Sequence, residues 1–296
     1  MASVLVLGAT GYIGGGVARA ARRAGFKVYA QTRSDAKASA LAADELIPLV
    51  CDPTDADALK ETVQECEFIC ECGGSMDAPR ANSEAIVKAI GMCDKKGAKK
   101  MILYTSGILV LGPHPNEVCE EDMVKKSVID WRYELENYLL GLEDVDCAVM
   151  RPGFVYGGNG GPLAGFFFGK PEEGKLVVPG SLEKTWSWVH VDDLGEAYVL
   201  AMMKRSVSAG RAYNIGEPYG PTYKEFRLAA AKLAGYEGDE IENPPATEGI
   251  DAFLDAGGWV VASGKRALEE LGWCSKHTGV MAQLPIYYEA YKASQK

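Results

Sequence analysis

Positive charge is in short supply. Lys and Arg number 31 against 41 Asp and Glu, a net charge of −10 with His neutral. Nucleic acid and anionic membrane repel such a surface at long range, which excludes them as main partners. Any basic site for an anionic ligand must be local. No apolar run has the length of a membrane span. The start, MASVLVLGATG, lacks a basic n-region and meets glycine after a short apolar run. It reads as a buried first strand rather than a signal peptide, and the expected compartment is the cytoplasm. Histidine is scarce: His114, His190 and His277 lie far apart, and no metal motif is visible. The eight cysteines are Cys51, Cys66, Cys70, Cys72, Cys93, Cys119, Cys147 and Cys274. They lack paired C-x-x-C spacing, so reduced thiols, several of them buried, are expected rather than zinc ligands or disulfides.

What is present is enough for a large core. The chain has 296 residues, 47% of them hydrophobic and 24% charged. That suits one large domain or two closely joined ones. Strand-like runs at 3–7, 27–32, 46–51, 67–72, 99–106 and 146–153 alternate with helical patterns at 14–25, 35–43, 57–65 and 81–97, and with a helix around SVIDWRYELEN (127–137). Such alternation predicts right-handed crossovers, hence a parallel sheet with helices on both faces. After residue 156 the periodicity weakens. A helix is expected at 192–204, a short strand at 210–216, and further helices after Thr222, at 265–272 and near 284–294. The reading is an α/β Rossmann doubly wound sheet over 1–155, with 186–213 returning to it. Segments 156–185 and 214–296 form a smaller α/β substrate lobe.

VLVLGATGYIGGG sets Gly8, Gly11 and Gly14 between a strand and a helix. The first glycine permits a tight turn, and the second lets backbone approach a pyrophosphate. The third lets helix pack on strand, while the helix N-terminus offers oriented N–H groups. A simple tight turn is the bland alternative. With strand before and helix after, a dinucleotide site formed by Gly8, Thr10, Gly11, Tyr12, Ile13 and Gly14 is favoured.

The spacing is G-x-x-G-x-x-G, and GATGYIGG resembles the short-chain dehydrogenase/reductase superfamily in its extended and atypical, epimerase/dehydratase-like branches. VCDPTD (50–55), YTSG (104–107), RPGFVYGG (151–158), WSWVHVDDLGEAYVLAM (186–202) and SGKRALEELGW (263–273) are similar to family segments in the same order. The resemblance implies the Rossmann fold and a nicotinamide cofactor. It places Asp52 and Pro53 at the adenine, Cys72 and Gly73 at the adenosine ribose, and Thr105 at the end of the fifth strand. Pro152, Gly153 and Val155 would frame the nicotinamide. It also implies a strand and helix at 186–202 that return to the main sheet, and frequent homodimerisation through helices that include 127–137. After the second strand, QTRSDAK offers Arg33 and no acid for a ribose 2′-OH, so NADP(H) is favoured over NAD(H). Otherwise Arg33 is a surface charge and Asp35 caps the next helix. Asp192 and Asp193 read as helix caps rather than catalysts.

One expected feature is missing. Hydride-transferring relatives commonly use Ser or Thr, Tyr, and a Lys four residues later. Glu136 places the pattern, because the family often has Glu four residues after the Lys. The Lys position then falls on Arg132, the Tyr position on Val128, and the Ser/Thr position on Gly107. No Tyr-x-x-x-Lys occurs in 113–150. Arg132 could contact the cofactor ribose or pair with Glu136 on an exposed helix face. It is a poor proton source near neutral pH. Ser106, Tyr133 and Tyr156 are the candidate replacements for the acid. Phe166, Phe167 and Phe168, with Trp186 and Trp188, would either cover an apolar or aromatic small-molecule substrate or pack the smaller lobe. Three functions follow. The first is an NADP(H)-dependent oxidoreductase acting on a carbonyl or activated double bond without the usual Tyr–Lys pair. The others are an epimerase, dehydratase or isomerase on a sugar nucleotide or similar, and a non-catalytic NADP(H)-sensing protein.

Overall fold

A strand buried at every position needs cover on both faces, and Ser3–Leu7 is such a strand (β1). The computed structural model describes residues 2–74, 77–94, 99–114, 117, 127–161, 163–169, 171, 174–277 and 279–295. After β1 come α1 (Tyr12–Arg23), β2 (Lys27–Thr32), α2 (Asp35–Ala43), β3 (Ile47–Val50), α3 (Ala56–Glu65) and β4 (Phe68–Glu71). Then follow α4 (Ala81–Gly91), β5 (Lys100–Thr105), α5 (Asp130–Leu140), β6 (Val145–Pro152), β7 (Phe154–Tyr156) and α6 (Ala164–Phe167). The later part holds β8 (Leu176–Val177), β9 (Trp188–His190), α7 (Val191–Met203), α8 (Arg205–Ser208), β10 (Arg211–Ile215) and α9 (Tyr223–Leu233). It ends with β11 (Ile241–Glu242), α10 (Gly249–Gly257) and α11 (Leu284–Ser294).

Seven strands form one sheet in the order β10-β6-β5-β4-β1-β2-β3, every pair parallel. The two-residue period of β1 divides the core. Val4 and Val6 pack with α1, α2 and α7, and Leu5 and Leu7 pack with α3, α4 and α5. A third, aromatic-rich cluster fills the later lobe, joining Phe154, Phe167, Trp186, Trp188 and Phe226. Phe167 and Phe168 are buried there with both tryptophans, so they pack the lobe.

The expected Rossmann sheet is present, with differences at particular elements. The strand Trp188–His190 pairs with Phe154–Tyr156 in a small parallel sheet of its own instead of returning to the main sheet. Gly153 shows why: a Cβ there would lie 2.4 Å from the Ser187 carbonyl oxygen, so the chain leaving β6 presses directly on the approach to β9. The return is made by β10, which pairs with β6. Helix α5 starts at Asp130, so Val128 precedes it and does not share a helical face with Arg132. Helix α4 ends at Gly91 rather than 97, and residues 95–98 lie outside the described residues, as does Cys119. The other seven cysteines are unbridged. Among the described residues no helix is long and apolar enough to cross a membrane.

Helices α1 and α7 touch backbone to backbone. A Cβ on Gly195 would sit 2.9 Å from both the Ala20 Cβ and the Gly16 carbonyl oxygen. Gly195→Val should therefore overpack this crossing and lower stability by about 1–3 kcal/mol. Gly91→Ala enters open space at the end of α4 and should cost nothing. Urea-denaturation midpoints of the two variants check the contrast.

Candidate functional site

The strand order reverses between β1 and β4, and a crevice opens there beyond the carboxyl ends of the strands. Its floor is backbone without side chains. Gly8 takes a positive φ of 72°, and a Cβ on it would fall 2.9 Å from Gly73 Cα. A Cβ on Gly14 would lie 2.2 Å from the Gly8 carbonyl oxygen. The Gly11 N–H donates to that same oxygen at 2.8 Å, closing the turn. Gln31, buried on β2, holds the turn from below. Its Oε1 accepts from the Gly8 N–H at 3.0 Å, and its Nε2 donates to the Cys51 carbonyl at 2.8 Å. A side chain at Gly8 or Gly14 would collide with this backbone and open the turn, which otherwise leaves the N-terminus of α1 free to face a phosphate.

The resulting cleft has a volume of about 510 Å³. It brings together Gly11, Tyr12 and Ile13 of the turn, Cys72 and Gly73 after β4, Ser106 after β5, and Arg132 of α5. Pro152, Gly153 and Val155, between and within β6 and β7, form the facing wall. Burial pushes the Cys72 thiol up to about 12, so it presents a neutral S–H. The Tyr12 hydroxyl donates to the Gly157 carbonyl at 2.6 Å, fastening the turn to the later lobe. Ser106 Oγ is buried and has no hydrogen-bond partner among the described residues. A hydroxyl in that state, on the cleft wall, is suited to a ligand.

Other expected residues lie outside the cleft lining. Thr105 turns its hydroxyl under the sheet, donating to the Glu71 carbonyl at 2.5 Å and meeting the Tyr198 hydroxyl at 2.6 Å. Tyr133 packs half-buried against the aromatic cluster of the lobe. Tyr156, the last residue of β7, is not among the residues that line the cleft. Its hydroxyl shares its one proton between Glu217 Oε1 at 3.0 Å and the His277 carbonyl at 2.9 Å, and burial raises its pKa. Asp52 accepts from the N–H and hydroxyl of Thr54 at 2.9 and 2.8 Å, and lines a separate groove against α4. Those two bonds, with the Arg33 charge, hold its carboxyl below the usual range. Pro53 is half-buried beside it, and Arg33 is exposed where β2 ends.

Arg132 is not on an exposed face with Glu136. Its Nη1 donates to the Thr105 carbonyl at 2.7 Å and reaches the Tyr104 hydroxyl at 3.4 Å, and its guanidinium lies over the Trp131 ring. Glu136 is fully buried and belongs to Arg151, which grips it through Nη2 at 2.6 Å and Nε at 3.1 Å. Beneath Arg132, the end of β4 buries Glu71, whose Oε2 accepts from the Ser83 hydroxyl at 2.6 Å. Burial, opposed by that hydroxyl and by Arg132, pushes the Glu71 carboxyl up to about 7.

Some lining residues were not singled out in the sequence. Ile108, Leu109, Ile129, Trp131, Leu163 and Phe253 form the apolar outer wall. They come from loops and short elements whose periodicity is weak. Lys37 and Arg19 join Thr10 around a second cleft of about 390 Å³ on the far side of the glycine turn. Lys37 stands four residues after Arg33, a spacing visible in the sequence.

The glycine turn and the chain from α1 through α6 coincide with a known family pattern, described as NAD(P)H-binding, which matches residues 8–174. The chain belongs to the NAD(P)H-binding family. A second pattern, the NAD dependent epimerase/dehydratase family, matches residues 137–216 of this member. An uncharacterized Schizosaccharomyces pombe protein is 24% identical over 95% of this chain and 97% of its own length. A UDP-glucose 4-epimerase of Corynebacterium glutamicum is 30% identical, but over only 31% of this chain and 26% of its own. Among solved structures, the UDP-glucose 4-epimerase of Thermotoga maritima, with UDP-glucose, superposes with a TM-score of 0.80 at 19% identity. That match covers 99% of this chain and all of the other. The dTDP-glucose 4,6-dehydratase of Bacillus anthracis, with NAD, gives 0.78 at 16% identity, covering 100% and 98%. At these identities the likeness concerns the fold.

The buried Glu71 of this NAD(P)H-binding protein makes a pH prediction. Its carboxyl is raised on folding from 4.5 to about 7. The folded state therefore holds the proton more tightly. Its contribution is fully present below pH 4.5 and is lost as pH rises through 7. Melting profiles should show wild type losing stability over that window relative to Glu71→Gln, by on the order of 3 kcal/mol. Parallel profiles would refute the assignment.

Proposed function

We propose that this chain is an NADP(H)-dependent reductase of a carbonyl or activated double bond in a small apolar or aromatic substrate. The observation that carries this reading is the composition of the cleft beyond the glycine turn. Its outer wall is apolar, and Ser106 and Arg132 are the polar side chains at the carboxyl ends of β5 and α5's first turn. A mostly apolar pocket with few placed polar groups suits an uncharged organic ligand. Bound NADPH supplies hydride. In this reading the chain orients and polarises. The Ser106 hydroxyl donates to the substrate oxygen, and Arg132, tied to Thr105, contacts the cofactor ribose. Because a guanidinium keeps its protons, water supplies the final one. Arg33, with Lys37, is proposed to read the 2′-phosphate, which supports NADP(H) over NAD(H). Residues 1–155 with 186–213 are assigned to the cofactor, and 156–185 with 214–296 to the substrate.

A second reading is an epimerase or dehydratase on a sugar nucleotide. It draws on the epimerase/dehydratase match at 137–216 and on fold neighbours that hold UDP-glucose. The apolar wall counts against a ligand carrying two phosphates and a sugar.

NADPH should raise the melting temperature more than NADH, corresponding to about 2.7 kcal/mol at a hundredfold excess over Kd. Arg33→Ala should bring the two cofactors level. In a carbonyl panel followed at the nicotinamide absorbance, Ser106→Ala should cut kcat by about 100-fold. Equal shifts with NADH and NADPH in wild type would end the NADP preference. Turnover of a sugar nucleotide, with none across the carbonyls, would establish the second reading instead.

A further inference from the structure

The sequence scatters its histidines, but the fold stacks two of them outside the cofactor cleft. His190 ends β9, and its ring lies on that of His277 with centroids 3.7 Å apart and planes 15° from parallel. His190 Nδ1 is unprotonated and accepts from the Asp192 N–H at 3.2 Å, capping α7, so it would have to exchange that bond for an ion. The Asp192 carboxylate comes within 3.9 Å of that same nitrogen. His190, Asp192 and His277 each offer a ligand atom, and the three atoms lie within 4.8 Å of one another.

A fourth residue prepares this group. Asp193 is buried and meets His277 Nδ1 at 3.0 Å. Its position is fixed by the N–H groups of Lys276 and His277, both at 2.9 Å, and by the Ser275 hydroxyl at 3.0 Å. A carboxylate held against one imidazole nitrogen sets the ring's orientation and tautomer, and leaves Nε2 for an ion.

We propose that His190, Asp192 and His277 bind a divalent transition cation of the zinc class, with Asp193 as the outer-sphere support. Two imidazoles and one carboxylate suit zinc, cobalt or nickel, whereas calcium and magnesium favour all-oxygen sets. Tetrahedral ligands with bonds of about 2.0–2.1 Å stand about 3.3 Å apart. The three atoms must therefore close by up to about 1.5 Å, and the two rings must tilt out of their stack. Asp192 and His277 have room to do so, with side chains 51% and 36% exposed.

The ion would staple the first turn of α7 to the segment around residues 275–277. It would also sit beside the cofactor turn. Gly157 leaves no room for a Cβ against His190, with Nε2 only 2.1 Å away, and its carbonyl receives the Tyr12 hydroxyl.

The test uses untagged, full-length Cys274→Ser protein, because the exposed Cys274 thiol is a nearby competing ligand. Cobalt(II) is titrated while the visible bands of tetrahedral cobalt are recorded, zinc is then added to displace it, and melting temperature is followed with each metal. One equivalent should bind, raise the melting temperature and be displaced by zinc. His277→Gln and, separately, Asp192→Asn should each weaken cobalt binding at least about tenfold. Asp192→Asn changes an exposed helix-turn residue and keeps the second arm interpretable if His277→Gln unfolds. The proposal is overturned if no saturable band and no melting shift occur, or if binding is unchanged in the variants that fold. None of these readouts depends on cofactor binding or turnover.

Discussion

The missing side chain at Gly14 governs what the rest of the molecule can build. With a Cβ 2.2 Å from the Gly8 carbonyl, α1 could not start where it does. The turn would open, and the helix would no longer aim its N–H groups across the ends of β1 and β4. Gly8 applies the same constraint against the neighbouring strand, because its positive φ and the Gly73 backbone 2.9 Å from its would-be Cβ leave no place for a side chain. Gln31 then fastens this bare turn to β2 and β3. The site is thus an outcome of close backbone packing at the point where the sheet reverses direction. The polar side chains around it are secondary to that geometry.

A second constraint acts on the opposite face of the sheet. Arg151 on β6 and Glu136 on α5 form a buried, multiply bonded ion pair. This pair anchors α5 to the sheet and fixes the phase of the helix. With Glu136 committed to Arg151, Arg132 one turn earlier is carried to the carboxyl end of β5, against the Thr105 carbonyl. The buried pair is more a device for orientation than a source of stability, since ion pairs in protein interiors recover little beyond their desolvation cost.

These two constraints explain which features the sequence exposed. The glycine spacing and the strand–helix alternation are local signals, and together they led to the right sheet. The pairing partner of Glu136 was not local: i,i+4 spacing suggested Arg132, and the sheet supplied Arg151. Tyr156 was similarly ambiguous, because a motif position does not say which face of a three-residue strand a side chain takes. The apolar outer wall was hardest to see. Leu109, Ile129, Leu163 and Phe253 come from four separate stretches with no shared period, and only the assembled lobe places them together. The stacking of His190 on His277 belongs to the same class, since it depends on where the C-terminal segment crosses α7.

The distribution of titratable groups bears on the chemistry. Oxidising a sugar hydroxyl requires a group that accepts its proton, with a pKa near the working pH. The buried carboxyl with such a value, Glu71, hydrogen-bonds to α4 behind the sheet, and it is absent from the cleft lining. Tyr12, the cleft's tyrosine, donates to Gly157, and burial and Asp192 together raise its pKa, which keeps it protonated. On the proposed reading, Ser106 would polarise an electrophile and Arg132 would hold the cofactor, and the cleft lining offers little to remove a proton. Reduction makes the lighter demand, because the proton it needs arrives after hydride transfer and can come from water. This arrangement of acids and bases is the reason for proposing reduction over the oxidation of a sugar hydroxyl.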